Sequence, residues 1–299
     1  MSRQEPTYEG AVAPERSRAI AVGPMRIALH EWGDPAGEPL VLCHGMWDHA
    51  RGFDVLAPLL AERYRVIGMD ARGHGDSSWA DAYRWPDDVL DICCVRRSIE
   101  RPCYLLGHSK GGGQATDAAC MAPELVRALV NIDGFGPSTK DMEPRPGEPT
   151  ELPAQFAQFL DRMPERPYRL AASLDELVAR RARTNTRLQG DWLRYFTFHA
   201  ARRDGQGWTW KSDPRIGQGF GPWKPEWIAP SWAAVRAPML ALAGTEPDFF
   251  GPASDALLDE RLAHIKDVTR ARVAGTGHFV HMEQPAQVAR LVLDFLEGA

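Results

Sequence analysis

The chain has no surplus of positive charge: 35 Lys and Arg stand against 40 Asp and Glu, a formal net charge of −5 over 299 residues. A nucleic-acid binder is expected to carry a basic face, so that class is set aside, although a local basic pocket is still allowed. There is no apolar run near the ~20 residues a membrane-spanning helix needs. Residues 1–17 are polar and charged and lack the apolar core of a secretory signal. Cysteine is scarce and odd in number: Cys43, Cys93, Cys94, Cys103 and Cys120. Most fall in expected strands or on helix faces, and Cys93-Cys94 has no metal-ligand spacing. They read as small buried hydrophobes of a reduced, cytoplasmic protein.

What is present is more telling. Gly107-His108-Ser109-Lys110-Gly111 follows the short apolar run Cys103-Tyr104-Leu105-Leu106 and precedes a helix-like stretch from Gly112 to Cys120. A G-x-S-x-G pattern at a strand-to-helix junction is the context of a nucleophile elbow. A serine meant to attack must stand on a sharp turn, where flanking side chains would collide. The helix start also aims backbone N–H groups at developing negative charge. The competing reading of Ser109 is a helix N-cap.

The rest of the chain alternates. Strands are expected within Arg18–Glu31 (two, joined at Gly23-Pro24) and at Pro39–Cys43, Tyr64–Met69, Val126–Ile132, Pro238–Ala243 and Val268–Val273. Helices are expected at Phe53–Tyr64, Pro86–Ser98, Ala253–Ile265 and Pro285–Glu297. Such alternation predicts a doubly wound, mostly parallel sheet covered on both faces, with chemistry at the carboxyl ends of the strands. The stretch from Gly134 to Val235 breaks it. It opens on a Pro/Gly/Glu-rich segment at residues 143–149, then offers helical patterns near Glu151–Met163, Leu174–Asn185 and Asp191–Arg203. A structureless loop of that length is implausible, so an inserted helical cap is expected. The division is then residues 1–17 as a disordered or extended segment, 18–135 with 236–299 as the core, and 136–235 as the cap. Arg180-Arg181 and Arg202-Arg203 read as solvated cap faces. The aromatics of Trp208-Thr209-Trp210 either wall a pocket or pin the cap.

With the elbow stand His44-Gly45-Met46-Trp47, Asp70-Ala71-Arg72-Gly73-His74-Gly75-Asp76-Ser77 and Gly277-His278-Phe279-Val280-His281. In this order and spacing the chain resembles an α/β-hydrolase over nearly everything after Arg18. Among helical-cap members it is similar to haloalkane dehalogenases, epoxide hydrolases and serine hydrolase-like proteins. The first two use an Asp nucleophile where this chain has Ser109, which points away from halide and epoxide chemistry and toward an ordinary acyl-enzyme.

A serine hydroxyl is weak until a base takes its proton. His278, on a Gly-rich loop before the last helix, can reach the elbow and shuttle that proton. The resemblance favours it over His281, which reads as packing, and activity is expected to fall as the imidazole protonates. For the acid the resemblance implies the loop Gly244-Thr245-Glu246-Pro247-Asp248. Pro247 occupies the usual position, so Asp248 is favoured, with Glu246 beside it and Asp133 as runner-up. The oxyanion donors are the Lys110 N–H, by position, and the Met46 N–H, by resemblance. Trp47 is a candidate for substrate contact. Lys110 either projects its ammonium into the pocket, favouring an anionic substrate, or pairs with a carboxylate such as Asp133 or Asp76. His44, Asp70, Arg72, His74 and Asp76 read as braces.

The expectation is a serine hydrolase acting on a small carboxylic ester, with no metal or organic cofactor, no nucleic-acid or membrane partner, as a monomer or homodimer. Carbon–carbon or lactone hydrolysis and perhydrolysis on the same residues remain open, as does a hydrolase-like ligand receptor.

Overall fold

The computed structural model describes residues 5–136, 150–162, 169–205, 207–216, 228–248 and 252–299. Its strands are β1 (Arg16–Val22), β2 (Met25–Trp32), β3 (Glu38–Cys43), β4 (Tyr64–Met69), β5 (Cys103–His108), β6 (Val126–Ile132), β7 (Ala201–Asp204), β8 (Gly207–Trp210), β9 (Met239–Gly244) and β10 (Val268–Val273). The helices are α1 (Leu56–Ala61), α2 (Trp85–Arg97), α3 (Lys110–Met121), α4 (Leu152–Arg162), α5 (Leu174–Ala182), α6 (Gly190–Ala200), α7 (Asp255–Leu262), α8 (Val280–Glu283) and α9 (Pro285–Glu297).

Eight strands form one sheet in the order β1-β2-β4-β3-β5-β6-β9-β10. β1 and β2 are an antiparallel hairpin, and β2 lies antiparallel to β4. From β4 to β10 every pairing is parallel. Successive residues of a strand point to opposite faces, and here both faces are dry. Val41 and Cys43 pack with α2, α3 and α7 residues such as Val95, Ala118 and Leu258. Leu40 and Leu42 pack with α1 and α9 residues such as Leu60, Val288 and Val292. That is why these strands read as continuous apolar runs rather than alternations. Pro86 falls at the start of α2, Asp87 and Asp88 in its first turn, and Arg96 and Arg97 in its last, so both ends suit the helix dipole.

Between β6 and β9 the chain leaves the sheet for α4, α5 and α6. Ser173 caps α5 as its Ser-x-x-Glu pattern predicts, its hydroxyl accepting the Glu176 N–H. The expected helix over Asp191–Arg203 stops at Ala200. The chain turns instead at Gly205, with φ of +57°, into the antiparallel hairpin β7–β8. Trp208 then packs on Ala171, Leu174, Leu177 and Ala201 inside the inserted segment. Among the described residues the inserted segment is therefore helical with one hairpin, and Trp208 pins it internally. The Pro/Gly/Glu-rich segment at 143–149 and the end of the expected helix at Met163 lie outside the described residues.

Residues 5–15 run without regular structure along both layers. Val12 N–H donates to Asp54 C=O, Trp32 Nε1–H donates to Val12 C=O, and Tyr8 stacks at a tilt 5.1 Å from Trp192 of α6. Strand ends are level across the sheet centre: Cys43 pairs with Gly107, His108 with Ile132, Ile132 with Leu242, and Gly244 with Val273. Four loops leaving those ends converge on one place.

Candidate active site

β5 delivers Ser109 and α3 departs at once from Lys110. Ser109 holds φ of 53° and ψ of −125°, an arrangement a non-glycine residue rarely adopts. The turn is possible only because its flanks are bare. A Cβ on Gly107 would lie 2.3 Å from Gly111 C=O, and one on Gly111 would lie 2.4 Å from Cys43 C=O. Both obstacles are backbone. Ser109 makes no side-chain cap; its hydroxyl donates to His278 Nε2 at 2.8 Å.

His278 sits on the loop between β10 and α8. Its Nδ1–H donates to Asp133 Oδ2 at 2.6 Å, and both residues are buried. That contact fixes the tautomer, leaving Nε2 as acceptor toward the serine. Asp133 follows β6 directly, adopts φ of 49°, and donates its N–H to Leu242 C=O at 2.8 Å. The Asn131 side chain steadies the turn by accepting the Gly134 N–H at 2.8 Å.

The carboxylate at the imidazole Nδ1 is thus Asp133, the runner-up of the sequence reading, while the favoured Asp248 meets the backbone of the same residue. Asp248 Oδ2 accepts the backbone N–H of His278 at 3.1 Å, while its Oδ1 accepts from Thr186 Oγ1 at 3.2 Å. β6 is the neighbour of β5 and β9 lies one strand further out, yet carboxylates beyond both strands reach His278. Glu283 Oε1 holds the preceding amide, Gly277 N–H, at 3.0 Å. Two carboxylates on consecutive amides therefore brace the histidine loop. Glu246 sends its backbone N–H to Thr276 C=O.

Lys110 begins α3, where helical geometry supplies no acceptor for its N–H. Its ammonium pairs with Asp88 Oδ2 of α2 at 2.7 Å, and Gln114 donates to the same oxygen at 2.9 Å. Neither Asp133 nor Asp76 is that partner; Asp76 pairs with Lys211 at 2.8 Å.

Met46 lies in the turn after β3, closed by Asp48 N–H to Gly45 C=O at 3.3 Å. Trp47 is exposed there, with φ of 59°. Neutral imidazoles hold this turn. His74 donates from Nδ1 to Arg72 C=O at 2.9 Å and accepts the Trp47 N–H on Nε2 at 3.1 Å. His44 accepts the Ala71 N–H on Nε2 at 3.0 Å. Burial pushes the pKa of both rings down, most strongly for His74, which suits their acceptor roles. His108 donates from Nε2 to His278 C=O at 2.9 Å, and His281 packs 4.4 Å from its ring. Burial lowers the His281 pKa to about 3.

His30, Asp70 and Asp76 gather ligand atoms within 4.8 Å of one another. Asp70 is already engaged by the His30 ring and by the Ala50 and Asp76 amides, which makes the cluster a brace. Sequence reasoning missed the contact between the inserted segment and the Met46 turn. Arg181 of α5, expected in solvent, is buried and donates to Trp47 C=O at 3.2 Å and to Asp48 Oδ1.

Trp47, Ser109 and Asp133 are three of the four described non-glycine residues with positive φ. Strain held at loops that converge on one hydroxyl is a signature of a site in use. A mostly parallel sheet with a serine on an elbow, an imidazole and a carboxylate at its strand ends defines a class, the doubly wound serine hydrolases. The chain belongs to the alpha/beta hydrolase family, whose family model matches residues 40–291. It is similar to the 3-hydroxybutyrate-oligomer hydrolase of Cupriavidus necator, 30% identical over 93% of this chain and 94% of that protein. It is 27% identical to the sn-1-specific diacylglycerol lipase ABHD11 of Xenopus laevis, over 89% of this chain and 82% of that one. Among solved structures, the thioesterase domain from the curacin biosynthetic pathway shares the fold with a TM-score of 0.78 at 21% identity, covering 93% of this chain and 99% of that one. No helix of the described residues is long and apolar enough to cross a membrane.

Proposed function

We propose that the chain hydrolyses small carboxylic esters through an acyl-enzyme, with Ser109 as nucleophile, His278 as base and Asp133 as the orienting acid. The observation that carries the reading is the continuous relay from Asp133 Oδ2 through His278 to Ser109 Oγ, at 2.6 and 2.8 Å. In the first half-reaction Oγ attacks the ester carbonyl as its proton passes to Nε2. The Lys110 and Met46 amides receive the oxyanion, each worth roughly 3 kcal/mol of barrier. His278 then gives the proton to the departing alkoxide. Water, deprotonated by the same Nε2, attacks the acyl-enzyme, and the carboxylic acid leaves as Ser109 regains its proton. Asp133 stays ionised and stabilises the imidazolium. Trp47, exposed beside the oxyanion turn, is the candidate substrate contact. The ammonium of Lys110, held by Asp88, is left out of substrate binding.

The Cupriavidus relative gives the substrate reading a sharper form. Its likeness runs over nearly both whole chains, which favours esters whose acyl part is a short hydroxy acid. The test is labelling with a broad fluorophosphonate, mapped to the residue, beside turnover of p-nitrophenyl acetate and of the 3-hydroxybutyrate dimer. A label on Ser109, lost in Ser109→Ala together with turnover, is the expected result. Turnover that survives Ser109→Ala would end the acyl-enzyme reading, and labelling without any turnover would favour the ligand-receptor reading. Preference for the acetate over the dimer would remove the hydroxy-acid part alone.

A further inference from the structure

The turn that carries the Met46 amide is held from two sides. On the core side, His74 accepts the Trp47 N–H at 3.1 Å. On the other side the inserted segment reaches in. Arg181 Nη1–H donates to Trp47 C=O at 3.2 Å, Nη2–H donates to Asp48 Oδ1, and the guanidinium lies 5.0 Å over the Phe196 ring of α6. The next residue, His49, stacks 4.6 Å from that ring and bonds Phe196 C=O at 3.1 Å. Arg181 and Asp48 are both buried. Trp47 has φ of 59°, a conformation that a bulky residue keeps only where its surroundings over-determine it. A buried ion pair is weak evidence for stability and is better explained by what it fixes. Both Arg181 contacts fall on the two residues that follow Met46.

We propose that Arg181 is a positioning residue for the oxyanion turn, so that the inserted segment forms part of the catalytic geometry rather than only a cover over it. The proposal rests on the reading of Met46 N–H as an oxyanion donor. A guanidinium suits the task because its planar fork can serve a carbonyl and a carboxylate at once in fixed geometry. Movement of α5 away from the sheet would release Trp47 C=O and Asp48 together and loosen the turn.

The test uses Arg181→Lys and Arg181→Met, each checked for folding by near-ultraviolet circular dichroism. The Lys variant keeps the charge for Asp48 but not the fork. The readouts are kcat and KM for p-nitrophenyl acetate and the affinity for an aryl trifluoromethyl ketone, which adds Ser109 Oγ to its carbonyl and forms a stable oxyanion. Losing one oxyanion donor outright costs about 10²–10³-fold in kcat, so a displaced donor is expected to cost about 10–100-fold with KM within about threefold. Ketone affinity should fall by a similar factor, and Lys should recover part of both. A folded Met variant that keeps kcat within about threefold of the parent, or a folded variant of either kind that loses kcat while binding the ketone as before, overturns the proposal. Fluorophosphonate labelling of the unaltered protein at Ser109 is measured first. Its failure removes the hydrolase reading itself, whereas its success followed by either negative result removes only the role of Arg181.

Discussion

Replacing Asp133 by Asn changes almost no volume but removes the charge that faces His278 Nδ1. An amide there can present its NH₂ to the ring, which then carries its proton on Nε2 and has no lone pair for the serine. The contact at stake is a buried 2.6 Å charge-assisted bond. The same exchange in a serine-protease triad lowers kcat about 10⁴-fold, the wrong tautomer being the cause. Four powers of ten correspond to about 5.4 kcal/mol of barrier. Asp248→Asn should behave differently. Its oxygen can still accept the His278 N–H now made at 3.1 Å, and the charge on that bond is lost. That difference is about 1 kcal/mol, or roughly fivefold in rate. The assay is kcat for p-nitrophenyl acetate at pH 8 with both variants, alongside the double variant. An Asp133→Asn enzyme within about tenfold of the parent, paired with a loss of about 10³-fold or more in Asp248→Asn, would refute the reasoning. It would mean that the working arrangement brings the other carboxylate to the ring.

Lys110→Met should lower stability by about 3–5 kcal/mol, because it leaves buried Asp88 without its cation, while the preference between a charged and a neutral ester of equal size stays unchanged; chemical denaturation and paired substrates report the two effects. Acid should unfold the protein early. Burial holds the His49, His74 and His108 pKa values well below 6.5 and lowers those of His199 and His281 to about 3. Since the folded values lie below the unfolded one, the stability is whole above about pH 6.5 and is lost as pH falls toward the folded values. At pH 5.5 each unfolded imidazole gains about 1.4 kcal/mol from proton uptake, so five amount to about 7 kcal/mol, a large part of an ordinary domain's stability. A calorimetric Tm that stays level from pH 7.5 to 5.5 would contradict this.

Local rules made the sheet legible. Tyr64–Met69, Val126–Ile132, Val268–Val273 and Pro285–Glu297 are found at the expected bounds, because buried apolar runs punctuated by Gly, Pro and Asp leave few alternatives. The elbow was legible for a similar reason: it is one contiguous string whose glycines are needed where backbone meets backbone. The hairpin β7–β8 was not. Arg202 and Arg203 continue a helical pattern well enough, and the turn at Gly205 is decided by the docking of Trp208 on Ala171 and Leu177, which is tertiary.

The acid shows where sequence spacing stops carrying information. Asp133 directly follows β6 and Asp248 lies in the loop beyond β9, and both reach His278, one at the ring and one at the backbone. Which of them meets Nδ1 depends on the rotamer of the imidazole and on the left-handed turn at Asp133. Neither is written in the spacing of the motif. The same holds for long charged side chains. Lys110 finds Asp88 across α2, and Arg181 finds Asp48 across the inserted segment. An arginine doublet on an amphipathic helix looks the same in sequence whether it ends in water or in a buried contact, because the stem reaches either way. Arg180 pairs with Glu176 one turn back on its own helix, whereas Arg181 is drawn into the Met46 turn. What separates them is a position on α5 that faces the sheet, and that facing is set by Leu174 and Leu177 packing against the β7–β8 hairpin. The hairpin that the helical pattern conceals thus helps to orient the helix that carries Arg181.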